Sequence, residues 1–228
     1  MINGIMVTDL LDLDRTIAKD LFAGATYGWE VLPNISDFIR KLGPTLSAEK
    51  FEQIGEDVWI SRTAHVYPSA HISGPCIIDE EAEIRHCAFI RGSAIIGKRC
   101  VVGNSTEIKN VVLFDGVQVP HYNYVGDSVL GYKAHLGAGA ITSNVKSDHS
   151  LTCFKIGNEQ LETGMRKFGA IIGDCAEIGC NSVLNPASII GRNTTIYPLS
   201  MVRGFVPANS IFKKHGDVTR KIEGQKKT

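Results

Sequence analysis

An aliphatic residue recurs at every sixth position between residues 54 and 108: Ile54, Ile60, Val66, Ile72, Ile78, Ile84, Ile90, Ile96, Val102 and Ile108, with Phe114 next in phase. A second, mostly small series follows four residues behind it, through Ala64, Ala70, Cys76, Ala82, Ala88, Ala94, Cys100 and Thr106. A helix repeats near 3.6 residues and a half-buried strand every two, so this period belongs to neither. A short fixed repeat marks a solenoid, whose units bury their apolar side chains only by stacking on one another. The pattern therefore predicts an all-β solenoid of short parallel strands, with one aliphatic side chain inward and one small residue at the corner of each unit.

The phase fails after Phe114. Pro120 falls on an inward position and has no N–H for a strand ladder, and Val125 and Leu130 follow at spacings of five. Leu136 restores the rhythm before a polar stretch, 143–166, which carries Gly157-Asn158, a turn signal. That stretch is expected to leave the solenoid as a projecting hairpin or loop. The repeat returns at Ile172, Ile178, Leu184, Ile190, Ile196 and Val202. Three segments follow: 1–53 as an N-terminal helical cap or arm, 54–206 as the β-helix with its inserted loop, and 207–228 as a tail. Within the first, residues 8–22 predict an amphipathic helix with Leu10, Leu13, Ile17 and Leu21 on one face. A second short helix opens at Ser36 or Asp37 and closes at Gly43-Pro44. The basic segment Lys213 to Thr228 lacks apolar periodicity and is expected to be a partly frayed helix or a disordered end.

Composition narrows the classes. The 228 residues carry 24 basic and 24 acidic side chains. With no basic excess, nucleic acid is not an expected partner. No apolar run approaches the roughly 18–20 residues of a membrane span, and no signal peptide is seen. A cytoplasmic protein follows. The six cysteines show no CxxC spacing, and Cys76 and Cys100 fill small corner positions, so neither disulfides nor a metal site is expected. Among the histidines, His65, His71 and His86 sit beside regular corners and read as ordinary packed or exposed side chains. His121 follows the misfit Pro120 inside the polar, aromatic stretch Pro120-His121-Tyr122-Asn123-Tyr124-Val125-Gly126-Asp127, which makes it the candidate for chemistry.

Several segments in order carry a family resemblance: Phe89-Ile90-Arg91-Gly92, Val102 to Glu107, Tyr124 to Ser128, Leu136 to Asn144 and Lys167 to Asp174. They resemble the left-handed β-helix hexapeptide acyltransferases. Within these, they are similar to the acetyltransferase domain of the bifunctional N-acetylglucosamine-1-phosphate uridyltransferase/glucosamine-1-phosphate acetyltransferases, and more so to the archaeal-type sugar-1-phosphate nucleotidylyltransferase/acetyltransferases. The resemblance implies a left-handed, three-sided parallel β-helix. Residues 18 apart would then stack in interior ladders, Ile54/Ile72/Ile90/Ile108, Ile60/Ile78/Ile96/Phe114 and Val66/Ile84/Val102/Pro120, with coils about 4.8 Å apart.

The resemblance also implies roles. His121 would be the general base, with Tyr124 beside the amino sugar and Asn144 completing the catalytic set. Arg91, Lys109 and Lys167 would hold the sugar phosphate, with Glu107 and His135 near the acceptor. Gly137, Ala138, Gly139, Cys180 and Pro198 would line acetyl-CoA, the acyl donor, with amides around Gly137 and Gly139 meeting the oxyanion. An imidazole with a pKa of about 6.5 suits removal of an ammonium proton, and arginine suits a phosphate. No metal is required. The expected partners are an amino-sugar phosphate or sugar nucleotide and two further copies in a homotrimer. The chain departs from the bacterial pattern at His135, Val145 and Cys180. Its first 50 residues also lack the Gly-rich, basic phosphate loop of a nucleotidyltransferase, which raises pairing with a separate nucleotidyltransferase chain. Two other readings stand beside the enzyme: a non-catalytic trimeric scaffold that binds a sugar nucleotide, and a zinc-dependent γ-class carbonic anhydrase, which would need several histidines converging on one metal.

Overall fold

The computed structural model describes residues 2–156, 159–214 and 216–221. They form a three-faced parallel β-solenoid of about eight coils. The first face holds Val58–Ser61, Cys76–Ile78, Ala94–Ile96, Ala170–Ile172, Ser188–Ile190 and Phe205–Val206, the second runs from His65–Val66 to Ser210–Lys214, and the third from His71–Ile72 to Met201–Val202. Two strands, Glu107–Leu113 and Tyr124–Leu130, run unbroken through the corner from third face to first. They join these faces into one sheet of 14 strands, while the second face belongs to a sheet of nine.

The interior ladders confirm the six-residue reading as far as Ile108 and correct it beyond. One ladder stacks Ile72, Ile90, Ile108, Val125, Thr142, Leu184 and Val202. Ile54 is not part of it: it lies in an antiparallel end strand, Phe51–Gly55, and is exposed. The next stacks Ile60, Ile78, Ile96, Leu113 and Leu130, with Leu113 in the place expected for Phe114. The last runs Val66, Ile84, Val102 and Val119, with Val119 in the place expected for Pro120. The slip arises where Asn110 (φ 53°) turns the corner in one residue fewer, and Asp127 (φ 47°) repeats this one coil later. Phe114 is still buried, but as a side chain edge-on to Phe22 at 5.6 Å between ring centres.

The first face is apolar on both sides. Ile77, Ile95, Val112, Val129, Ile171 and Ile189 point outward in register, yet all are fully buried. The N-terminal segment covers them. Each such aliphatic side chain contributes about 1.5–3 kcal/mol when fully buried, so this plate is part of the core. This overrides the helix expected over 8–22. The chain there makes only a short α-helix, Val7–Leu10, and 3-10 turns at Leu13–Arg15 and Lys19–Phe22. Its carbonyls serve the solenoid instead: Leu10 accepts from Asp174 N–H at 3.0 Å and Arg15 from Asp115 N–H at 2.9 Å. The second expected helix is present as Ile35–Leu42. Gly43 follows, where a Cβ would lie 2.4 Å from the Trp59 ring, so only glycine fits.

The inserted stretch does form an antiparallel hairpin, Cys153–Ile156 with Glu159–Glu162; its expected turn at Gly157-Asn158 lies outside the described residues. A Val145–Lys167 bridge closes the base. Ser210–Lys214 completes the second face, and the expectation for Lys213 to Thr228 is corrected where Asp217–Arg220 pairs with it as a strand. Among the described residues, no helix is long and apolar enough to cross a membrane.

Candidate active site

His121 ends the strand Gln118–His121 at the corner between second and third faces, with its side chain exposed. Tyr122 then takes a left-handed conformation (φ 51°), which turns Asn123 inward. Asn123 stands four residues after Val119, the slot that elsewhere holds Ala88, Thr106 or Ala140. Its buried amide donates to the carbonyls of Gly137 (2.8 Å) and Ala140 (3.1 Å) and accepts from His121 N–H at 3.1 Å. One side chain thus ties the His121 backbone to both ends of the Gly137–Ala140 turn.

The same corner is stitched by backbone bonds. Gly139 N–H donates to His121 O at 3.0 Å, Asn181 N–H to Ala138 O at 2.8 Å, and Leu199 N–H to Cys180 O at 2.9 Å. His121, Gly137, Ala138, Gly139, Cys180 and Pro198 therefore lie along one edge, with Cys180 and Pro198 exposed. Of the amides around Gly137 and Gly139, two are occupied. The Gly137 amide is spent on Ile178 O at 2.7 Å and the Gly139 amide on His121 O, so neither is free for an oxyanion. Among the described residues, Ala138 N–H has no acceptor, and it is the donor that this turn leaves open.

On the third face the register places Phe89, Glu107, Tyr124 and Ile141 side by side, pointing outward. Arg91, one coil before Glu107, meets its carboxylate at 2.6 Å. Burial pushes the Tyr124 hydroxyl above its ordinary pKa, opposed by a hydrogen bond from Asn144. Half-buried Lys109 sits in register with Gly126. A Cβ on Gly126 would lie 2.6 Å from Tyr124 Oη and 2.8 Å from Asn144 Nδ2. Only glycine lets those two side chains meet there, at 3.2 Å.

Asn144 stands at the far corner, where the insertion leaves. Its Nδ2 also donates to Asp127 Oδ2 at 2.5 Å, and Asn110 Nδ2 donates to Asp127 Oδ1 at 2.8 Å. Exposed Lys167 faces this corner through its bridge to Val145. The fold thus gathers Arg91, Glu107, Lys109, Tyr124 and Asn144 on one face and its far edge, and His121 with the glycine turn on its near edge. His135 is apart from both, outward on the second face with its Nδ1 2.8 Å from Glu177 Oε2. Asn123, Asp127 and Asn110 were not singled out by sequence. The +4 rule points to Asn123 only once the phase is taken from Val119 rather than Pro120.

A cavity of about 680 Å³ lies between the insertion and the far corner, lined by Ser143, Val145, Lys146, Cys153, Asn185 and Arg203 among others. The near corner and third face also expose apolar side chains, Tyr122, Ile141, Leu199 and Met201. Among the described residues, no three His, Cys, Asp or Glu side chains come together in a set that could hold a metal ion.

Several known proteins are similar to this chain. Residues 72–154 match the family described as the GMPPB C-terminal domain. The chain is similar to a bifunctional sugar-1-phosphate nucleotidylyltransferase/acetyltransferase of Sulfurisphaera tokodaii, 31% identical over 68% of this chain and 43% of that protein. It is also similar to the bifunctional protein GlmU of Methanococcus maripaludis, 34% identical over 74% of this chain and 41% of that one. The chain therefore spans less than half the length of these curated relatives. Among solved structures, a mutant of AntD, an N-acyltransferase from Bacillus cereus in complex with dTDP-4-amino-4,6-dideoxyglucose and coenzyme A, aligns with a TM-score of 0.41 at 19% identity, over 78% of this chain and 91% of that chain.

Proposed function

We propose that this chain is a coenzyme A-dependent N-acetyltransferase whose acceptor is an amino-sugar phosphate or a nucleotide-linked amino sugar. The observation that carries the reading is the Asn123 link, which holds a solvent-facing histidine and the Gly137–Ala140 turn in one unit. The acetyltransferase activity of the Sulfurisphaera tokodaii relative supports the same class of reaction. In the proposed step, the acceptor nitrogen attacks the thioester carbonyl while His121 takes its proton. The oxyanion that forms meets Ala138 N–H, the donor left open on that turn. Collapse breaks the carbon–sulfur bond, and the proton on His121 passes to the departing thiolate.

Arg91 and Lys109, with Lys167 across the corner, supply positive charge for the acceptor's phosphate. Glu107 orients Arg91 through their ion pair. Acetyl-CoA is placed along the near edge by Ala138, Cys180 and Pro198. We also propose that the chain works as a homotrimer. Leu199, 80% exposed, and Met201, 61% exposed, flank this edge, and a second copy would cover them. The test is turnover: purified protein, acetyl-CoA and a panel of amino sugars and sugar nucleotides, read by release of free thiol. His121→Ala is expected to lower kcat by about 100-fold or more. An unchanged rate in that variant would sink the mechanism.

A further inference from the structure

We propose that Asp127 sets the hydrogen-bond polarity of the acceptor pocket, so that the site selects a sugar hydroxyl that donates, flanked by a hydrogen-bond acceptor. This inference rests on the N-acetyltransferase reading. An amide side chain can face either way, offering its oxygen or its nitrogen; a carboxylate neighbour removes the choice, because it only accepts. Asp127 is 5% exposed and sits at the far corner with both oxygens occupied. Oδ1 takes Asn110 Nδ2 at 2.8 Å and Oδ2 takes Asn144 Nδ2 at 2.5 Å. Asn144 must therefore turn its nitrogen to Asp127, and the second hydrogen of that nitrogen reaches Tyr124 Oη at 3.2 Å.

Two consequences follow for the ligand. Asn144 Oδ1 has no partner among the described residues, so it stands as an acceptor. Tyr124 Oη, having accepted from Asn144, keeps its own hydrogen to donate. The pocket thus presents one acceptor and one donor over Gly126, where a Cβ would close the gap between them. A sugar hydroxyl donating its hydrogen satisfies the first, and a neighbouring hydroxyl or phosphate oxygen satisfies the second. Asp127 is a positioning residue: it works through Asn144 and Tyr124.

Asp127→Asn keeps the shape, and asparagine tolerates the left-handed backbone at φ 47°, but it abolishes the fixed polarity. With the purified full chain and the best acceptor of the panel, this variant is expected to lose about tenfold or more in kcat/KM for the acceptor. The KM for acetyl-CoA and the thermal midpoint should hold. Tyr124→Phe, which removes that donor together with the oxygen that accepts from Asn144, should lower discrimination between the acceptor and its analogue lacking the neighbouring hydroxyl. The inference is overturned if Asp127→Asn keeps its acceptor kcat/KM within about twofold, if it loses both substrates equally, or if Tyr124→Phe discriminates like the wild type. His121→Ala separates the two ideas: an active His121→Ala sinks the general-base reading, whereas an active Asp127→Asn beside an inactive His121→Ala sinks only this one. A wild-type protein with no turnover sinks both.

Discussion

Replacing Asn123 by alanine tests whether the near edge is held by one side chain. A methyl group fits the slot, since Ala88 and Ala140 occupy its equivalents in other coils, so no steric term enters. What is lost is polar. The carbonyls of Gly137 and Ala140, both in buried residues, lose the Nδ2 donor. His121 N–H also loses Oδ1, but its residue is exposed and water can replace that bond. Gly137 O keeps the Ala140 N–H at 3.1 Å and loses one bond of about 1 kcal/mol, while Ala140 O is left unsatisfied at about 1–3 kcal/mol, so Asn123→Ala should lose roughly 2–4 kcal/mol. Asn123→Ser should recover part of this, because Ser182 in the same slot donates its hydroxyl to Tyr197 O at 3.1 Å; the expected loss is about 1–2 kcal/mol. Equilibrium urea unfolding at one fixed protein concentration measures both, since self-association would otherwise shift the midpoint. A loss under about 0.5 kcal/mol for alanine, or equal losses for serine and alanine, would refute the reasoning.

Other outcomes follow from single sites. Leu199→Glu, at a side chain 80% exposed in the single chain, should leave the fold intact and reduce the assembled mass measured by light scattering; an unchanged mass would count against the proposed interface at this edge. Arg91→Ala should raise KM for a phosphorylated acceptor about tenfold with little change in kcat, as measured by steady-state kinetics; unchanged KM would remove Arg91 from phosphate binding. Hydrogen bonds from Lys98 and then Lys50 hold the Glu80 carboxyl down at about 2, against an ordinary 4.5. Its stabilising effect is therefore complete above the unfolded value and fades as pH falls from about 4.5 toward 2. Thermal melts should show Glu80→Gln destabilised at neutral pH and no different from wild type near pH 2. Burial pushes the Cys76 thiol up to about 12 and Cys100 higher still. Mass spectrometry after alkylation of the native protein should find both unmodified while exposed Cys87 and Cys153 react.

The residues of the site show how far sequence reasoning reaches. Arg91, Glu107, Lys109, Tyr124 and Asn144 could be named because their neighbours form motifs, and the fold does bring them to one face and its edge. Asp127 escaped notice because its importance comes from Asn110 and Asn144, 17 residues away on either side. Asn123 escaped because the corner at Asn110 is one residue short, and counting by six carried the phase past Val119 to Pro120. The helix expected over 8–22 failed for a different reason. Its apolar spacing was real, but its carbonyls and side chains are used by the first face, and tertiary packing outweighs a weak local preference.

The chain by itself determined the period, hence a solenoid, because stacking is the one way six-residue units bury an aliphatic side chain each. It also determined where the regular scaffold ends. The aliphatic pairs Ile77-Ile78, Ile95-Ile96, Ile171-Ile172 and Ile189-Ile190 already carried a further message, since runs of two buried residues mark a sheet covered on both sides. Which segment covers that face was decided only in three dimensions, where the N-terminal residues lie along it. The same holds for the polarity of the acceptor pocket. Hydrogen-bond direction depends on which atoms face each other across coils, and no spacing along the chain records that.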